Sequence, residues 1–571
     1  MLQYSGMVTE KISRALKWIS KYLRSFWGVF FTCFILGVLL FVLLYGFDAI
    51  NPKNVAWILN GQDLEQHYLG WEFYRRSEWS FPVGQITTLA YPYGVPINFT
   101  DSIPLVAIPL KLFTGMLPEN FQYIGIWGAI SFGLTAAFAG SLLRRFTTST
   151  LVVLAGAVLL TVTPVLVARM FIHTALASVW LIFAAFTLIA YWRVIQSRGL
   201  WLQLLLWAVL CVMAILIHPY YVPMVGTALF VYLVITYRSV WRFLVGLLVP
   251  VVAALLAFWV SGGFSLQGDS ALGTPNEYNL DLLAPFSSSS WSNLLPSLSS
   301  ISGESMMFVG AGAVLAVVCA LVLFIVRKDY RKLWSTVRRR PIVTILTGMT
   351  LVALVVLSVG TVIRVNGFEL ADLEWLPERV QATWGIFRAS ARLFWPIYFL
   401  VIIVSLCYMS YALRGRQKLL ISLILLFTLV QFVDVSTSPA GRSITGVASR
   451  TQSVKSADEK KVISYLGKLT REDSNKSHLV YLGSMNTQEY FDLNEAALKY
   501  NLTLSSGYFS RSPQALIDQR VADLKQKLFA GEKLADDSIY VLDDPDLIRG
   551  AQQNPYYSQA RVGKYTFLEE K

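Results

Sequence analysis

The stretch that decides the fold is "FWGVFFTCFILGVLLFVLLYG", residues 26–46, which carries no charged side chain. An α-helix rises 1.5 Å per residue, so about 20 apolar residues cross the roughly 30 Å hydrocarbon core of a bilayer. Lys11, Arg14, Lys17, Lys21 and Arg24 precede the run, and no small-x-small cleavage site follows it. This pattern predicts a retained signal anchor with residues 1–25 in the cytoplasm.

The whole chain continues in that vein. Of its 571 residues 55% are apolar and only 15% charged, against about a quarter charged in soluble domains. Cys33, Cys211, Cys319 and Cys407 all fall inside apolar runs, which argues against a thiol-rich metal site or an exposed disulfide framework. Further runs long enough to span lie near 121–143, 151–168, 174–192, 201–217, 221–237, 243–260, 306–326, 342–363, 393–413 and 419–435. The expectation is therefore a polytopic α-helical membrane protein of about 11 spans over 26–435.

With the N-terminus inside, alternate loops hold Arg144/Arg145, Arg193/Arg198, Arg238/Arg242, "RKDYRKLWSTVRRR" (327–340) and Arg414/Arg416/Lys418. Among the inner segments only Glu10 and Asp329 are acidic, as the positive-inside rule requires. The net charge of +13 is thus a topology signal, and no nucleic-acid partner is expected. "SIPLVAIPLKLFTGML" (102–117), with two prolines and Lys111, reads as an interfacial or re-entrant helix within a first outer loop at 47–120. After a linker at 436–457, residues 458–571 mix both charge signs. Helical patterns there (458–469, 489–500, 513–529) alternate with "LVYLG" (479–483), "LTLSSGYF" (502–509) and "IYVL" (539–542), predicting a small extracytoplasmic α/β domain.

This topology gathers the unusual polar residues on one side: Asp63, Glu65, His67, Asp101, Arg169, His173, His218, Glu304, Arg388 and Arg392. Asp63 and Asp101 are candidate general bases at a membrane surface, and the alternative is an ordinary solvated loop. Arg169 and His173, spaced i, i+4, suit a phosphate at headgroup depth, or else mark an interfacial helix end. His218 precedes Pro219 at a span mouth, where a structural turn is an equal reading. Arg388 and Arg392 in "FRASARLFWP" have the same i, i+4 spacing and form a candidate lipid-phosphate clamp. No P-loop, GxSxG, HExxH or paired CxxC occurs.

The patterns "GQDLEQHYLGWEFYR", "FTDSIPL", "HPYY" and "FRASARLFWP", the N-in topology and the outer C-terminal domain resemble the GT-C superfamily of membrane glycosyltransferases, in particular a bacterial branch of it. The resemblance implies a polyprenyl-phosphate sugar donor, a glycan or cell-wall polymer acceptor, inversion at the anomeric carbon and residence in the bacterial cell membrane among its lipids. It implies Asp63 as catalytic base with Asp101 as understudy or orienting partner, and Glu65, His67 and Glu304 toward the acceptor. Arg169, His173, His218, Arg388 and Arg392 are implied at the lipid phosphate. It allows a divalent metal, magnesium or manganese, without requiring one. The tandem Asp-Asp of several branches is absent. Two other functions stay open: a transporter or flippase of lipid-linked glycan, for which charged mid-span residues or inverted repeats would speak, and a non-catalytic envelope scaffold.

Overall fold

The computed structural model describes residues 22–23, 25–59, 62–266, 276–298, 303–373, 375–451, 456–483 and 487–571. The basic residues Lys11, Arg14, Lys17, Lys21 and Arg24 lie outside them, as do 452–455 of the expected linker. The expected anchor is helix α1 (Phe26–Tyr45), capped at its start by the Ser25 hydroxyl.

Every one of the eleven apolar runs contains a helix, but they are not eleven equal spans. Among the described residues seven helices are long and apolar enough to cross a bilayer, or nine if each of two bent pairs is one span. The difference from eleven lies in Thr174–Ala190 and Tyr221–Thr236, apolar helices of shorter length. The chain is a multi-pass helical membrane protein in which some segments are broken.

The break that matters most separates Thr150–Thr161 from Pro164–Ile172 by 47°. Proline lacks the amide hydrogen a continuous helix needs, and it drives the preceding residue out of the helical region; Thr163 accordingly sits at φ −90°, ψ 142°. At bilayer depth the freed carbonyl must find a donor within the protein. Gln431, fully buried in the helix Gln417–Thr437, supplies it. Its Nε2 donates to Val162 O (3.0 Å) and Val309 O (3.1 Å), while its Oε1 accepts from Ala313 N–H at 3.1 Å.

The remaining helices pack through small residues, as expected where lipid removes any hydrophobic advantage of association. A Cβ on Gly37 of α1 would lie 2.3 Å from Phe132 O in the helix Ile124–Arg144. The basic residues cluster at one set of helix ends: Tyr191 reaches Ser141 O near Arg144, and Arg327 donates to Ala412 O beside Arg414. The opposite ends carry the loops described next.

After α1 comes helix α2 (Asp63–Arg76), then a two-stranded hairpin of β1 (Gln85–Ile86) and β2 (Val95–Pro96), a turn at 97–103 and helix α3 (Pro104–Lys111). At eight residues α3 cannot cross a bilayer, in keeping with the interfacial reading of 102–117. Strands β3 (Val362–Val365) and β4 (Phe368–Asp372) form a second hairpin. The C-terminal domain is a mixed sheet in the order β6-β5-β7-β9-β8, with β5 His478–Tyr481, β6 Thr503–Leu504, β7 Ser538–Leu542, β8 Tyr557–Val562 and β9 Tyr565–Glu570. The sequence reading lacked the β8–β9 hairpin. The segment after the last span folds into short helices, Pro439–Ile444 and Val447–Arg450, tied back by Gly446 N–H to Leu44 O.

The edge strand β6 does not face open solvent. Leu504 N–H donates to Thr88 O (2.9 Å) and Tyr91 N–H to Leu504 O (3.0 Å), so the first loop covers the edge and locks the domain over the loop. Replacing Gln431 by Leu should orphan two carbonyls and an amide, at about 1–3 kcal/mol per group. We expect a clearly lower thermal unfolding temperature in detergent, whereas the lipid-facing change Val433→Leu should leave it unmoved.

Candidate functional site

The site is assembled from the first residues of α2, the 97–103 turn, the bent helix end at 169–173, the loop at 303–305 and the short 3-10 turn Ser390–Phe394. Asp63 occupies the first turn of α2, where the positive end of the helix dipole favours a carboxylate. One turn later comes His67, 2% exposed. Gly70 follows because the 100–102 turn lies against this face of α2: a Cβ there would sit 2.5 Å from Thr100. Ser102 Oγ clamps the turn by donating to His67 O at 2.7 Å.

That turn is strained. Asp101 and Ile103 both have positive φ, 54° and 50°. Aspartate tolerates this region, but a β-branched residue rarely does, and such outliers cluster at functional sites at a cost of about 1–3 kcal/mol each. The result is a largely enclosed Asp101 carboxylate, its side chain 14% exposed, ringed by three imidazoles. Oδ1 faces His218 Nε2 at 3.4 Å, and Oδ2 faces His67 Nε2 at 3.8 Å and His173 Nδ1 at 3.9 Å. Burial raises the Asp101 pKa, against the opposing pull of His173 and Arg392. Burial lowers those of His67 and His218 well below the usual imidazole range, helped by His173 and Arg392 respectively, so both rings are neutral at neutral pH.

Glu304 organises the cationic half. Arg169 Nη1 contacts Glu304 Oε1 at 2.9 Å, His173 Nε2 contacts the same oxygen at 3.3 Å, and Arg392 Nη2 grips Oε2. Burial pushes the Glu304 carboxyl up, but Arg392, Arg169 and His173 together outweigh that and hold it well below the ordinary carboxylate range. His173 Nε2 also lies 3.3 Å from Asp63 Oδ2, joining the two halves.

Several sequence expectations are corrected by this geometry. Arg388 and Arg392 do not share a helical face, because the helix Glu378–Gly385 ends before Arg388 and the chain turns at Ala389 (φ −98°, ψ 65°) into the 3-10 turn that carries Arg392. Arg392 is buried over the Tyr220 ring, while Arg388 is 58% exposed, stacked on Tyr278 and 3.8 Å from Glu277. Arg169 is no open anion holder: beyond Glu304 its Nη2 donates to the carbonyls of Gly303 and Glu304, and it is 1% exposed. His173 and His218 point ring nitrogens at carboxylates instead. Glu65, two residues past Asp63 and so on the other side of α2, is buried and acts on Tyr490 of the C-terminal domain.

The sequence reading also missed Tyr508. Its phenol is pushed up by burial and then by the neighbouring Asp63, and at 37% exposure it lies beside Asp63 where the site meets the surface. Gln66 Nε2 holds that segment by donating to Tyr508 O at 2.7 Å. The "SSGYFSR" turn gave no hint of this, because only the docking of the C-terminal domain brings it near.

His67, Asp101 and His173 could hold a metal ion, with one donor atom from each all within 4.8 Å of one another. Two imidazoles and one carboxylate do not suit magnesium, which demands a near-octahedral oxygen shell, and they suit manganese little better. A separate apolar cavity of about 520 Å³, lined among others by Leu142, Phe186, Met224, Leu351 and Leu400, carries none of these groups.

A multi-pass helical membrane protein with a buried carboxylate–imidazole–guanidinium pocket under a small sheet domain is the class thus defined. The chain belongs to the family described as Domain of unknown function (DUF6311), whose profile matches residues 34–436, with the DUF6311 C-terminal domain matching 469–567. No match was found among curated proteins. Among solved structures it is similar to ArnT from Cupriavidus metallidurans in the apo state, with 12% identity, a TM-score of 0.44 and coverage of 93% of this chain and 97% of that one, a likeness too distant to carry function.

Breaking the Glu304 node should be costly. Glu304→Ala leaves Arg169 and Arg392 as uncompensated buried charges, a change that typically costs about 3–5 kcal/mol. A marked loss of folded protein or of thermal stability in detergent is expected, and a smaller one for Glu277→Ala at the exposed Arg388.

Proposed function

We propose that the protein is an inverting membrane glycosyltransferase that moves a sugar from a polyprenyl-phosphate donor to a glycan or related cell-envelope acceptor. The observation that carries the reading is the meeting of Asp63, Asp101, Glu304 and Arg392, from four distant parts of the chain, in one pocket at the helix ends away from the arginine-rich loops. The resemblance to GT-C enzymes in "GQDLEQH" and "FRASARLFWP" supports it. By the positive-inside rule this pocket and the C-terminal domain face away from the cytoplasm.

Asp63 is the better placed of the two aspartates to act as base. Its side chain is 26% exposed against 14% for Asp101 and stands beside Tyr508 at the pocket mouth. In the proposed reaction it takes the proton of the acceptor hydroxyl. The freed oxygen attacks the anomeric carbon opposite the phosphate, the carbon–oxygen bond to the phosphate breaks, and the lipid phosphate leaves with the electron pair. Arg392 is the cation positioned to meet that charge, since its buried Nε has no partner, and the exposed Arg388 guards the rim. Asp101 acts as a positioning residue. A donor whose phosphate stays in the headgroup plane accounts for chemistry at the membrane end of the helices.

The test is transfer from a panel of polyprenyl-phosphate sugars by the purified, reconstituted protein. Asp63→Asn keeps the shape but removes the base, so transfer should fall by about 10²–10⁴-fold with unchanged folding. Consumption of none of the donors, or full activity in Asp63→Asn, would refute the reading.

A further inference from the structure

Three features of the His–Asp cluster remain unexplained by sugar transfer. His67 is 2% exposed, yet neither ring nitrogen has a hydrogen-bond partner. A buried imidazole without partners costs free energy unless something absent from the protein chain completes it. His173 Nδ1 is likewise buried and unpartnered. Finally, Asp101, the carboxylate both rings face, is held on a strained backbone.

The tautomers sort the three imidazoles. His173 Nε2 lies 3.3 Å from both Asp63 Oδ2 and Glu304 Oε1, two acceptors, so that nitrogen donates, and in the neutral ring a metal requires, Nδ1 is the atom that presents its lone pair. A histidine whose far N–H is held by a carboxylate is the usual form of a metal-binding histidine, because the contact fixes ring orientation and raises basicity. His218 is different. Its Nδ1 accepts the Tyr220 backbone N–H at 3.2 Å, so its proton sits on Nε2 and is aimed at Asp101 Oδ1. His218 therefore orients the carboxylate and leaves Oδ2 free.

We propose that His67 Nε2, His173 Nδ1 and Asp101 Oδ2 form a site for a zinc-class transition-metal dication, supported by Asp63 and Glu304 behind His173 and by His218 behind Asp101. The donor set decides the class: imidazole suits zinc and its neighbours, whereas magnesium and calcium take oxygen shells. Zinc bonds of about 2.0–2.1 Å place donors roughly 3.4 Å apart in a tetrahedral site, so contacts of 3.8 and 3.9 Å need only a modest closing. Three protein ligands would leave a fourth position for a water or substrate oxygen. The metal site stands whatever the donor sugar is, and it replaces the magnesium or manganese that the family resemblance allows.

The experiment uses the full-length, tag-free protein in detergent. Elemental analysis should find about one zinc per chain, or after chelation the protein should take up one equivalent of added zinc in preference to magnesium and manganese. Cobalt substitution should give visible d–d bands that zinc abolishes, a readout independent of activity and of any variant. His67→Ala should weaken zinc binding by more than the roughly 10–100-fold that loss of a supporting partner typically costs, while Arg388→Ala, outside the ligand set and paired with Glu277 instead, should keep it even as sugar transfer falls. No stoichiometric zinc or cobalt in the wild type, magnesium bound in its place, or wild-type zinc affinity in a folded His67→Ala protein would each overturn the proposal. Zinc bound by a protein that consumes no polyprenyl-phosphate sugar would leave the site standing and remove the transferase reading instead.

Discussion

The structure depends on one carboxylate. Glu304 sits in a short turn before the helix Ala311–Val326, and its two oxygens are shared among Arg169, Arg392 and His173. Two buried guanidiniums so close would repel each other strongly, and moving either from water carries a penalty of several kcal/mol. The carboxylate between them turns that repulsion into attraction, and it can do so only if three separate segments arrive together. Those segments are the bent helix end at 169–173, the 303–305 loop and the 390–394 turn. A single ionic node thus fixes the relative position of three parts of the helical module at the end where the chemistry is proposed.

The same node divides the pocket into two functions. Its cationic side is mostly satisfied internally, leaving Arg392 Nε as the buried donor without a partner. Its anionic side is under-satisfied, with an imidazole that bonds to nothing and an aspartate facing three rings. His173 touches both sides and so couples them electrically. Asp63 stands at the exit, under Tyr508 from a domain that the family pattern treats as separate from the membrane module. Locking β6 onto the first loop is what keeps Tyr508 there, so the C-terminal domain takes part in shaping the mouth of the pocket.

Much of the candidate site was legible as a list but not as an arrangement. Asp63, His67, Asp101, His173, His218, Glu304 and Arg392 stand out in the sequence because each is a polar group at the mouth of an apolar run. Their roles did not follow from spacing. The i, i+4 interval of Arg388 and Arg392 implies one helical face, yet the helix stops at Gly385, before either of them, and the two guanidiniums part, one buried and one exposed. Arg169 resembles a free cation until Glu304, 135 positions away, is seen to occupy it. Glu65 looks equivalent to Asp63, but two residues along a helix turn a side chain by roughly 200°, and it faces the C-terminal domain instead.

By itself the sequence determined the material of the protein: uncharged runs of bilayer length, basic residues at alternate loops, and a polar tail with mixed helix and strand periodicity. These are local properties, set by the cost of exposing backbone or charge to hydrocarbon, and they need no knowledge of what packs where. Tertiary structure alone decided which apolar runs are broken, which guanidinium is spent on which carboxylate, and that three imidazoles surround one aspartate. The physical reason is that these depend on contacts between residues far apart in the chain, up to 269 positions for Gln431 and Val162, and on the donor and acceptor left over once each buried group has found its partner.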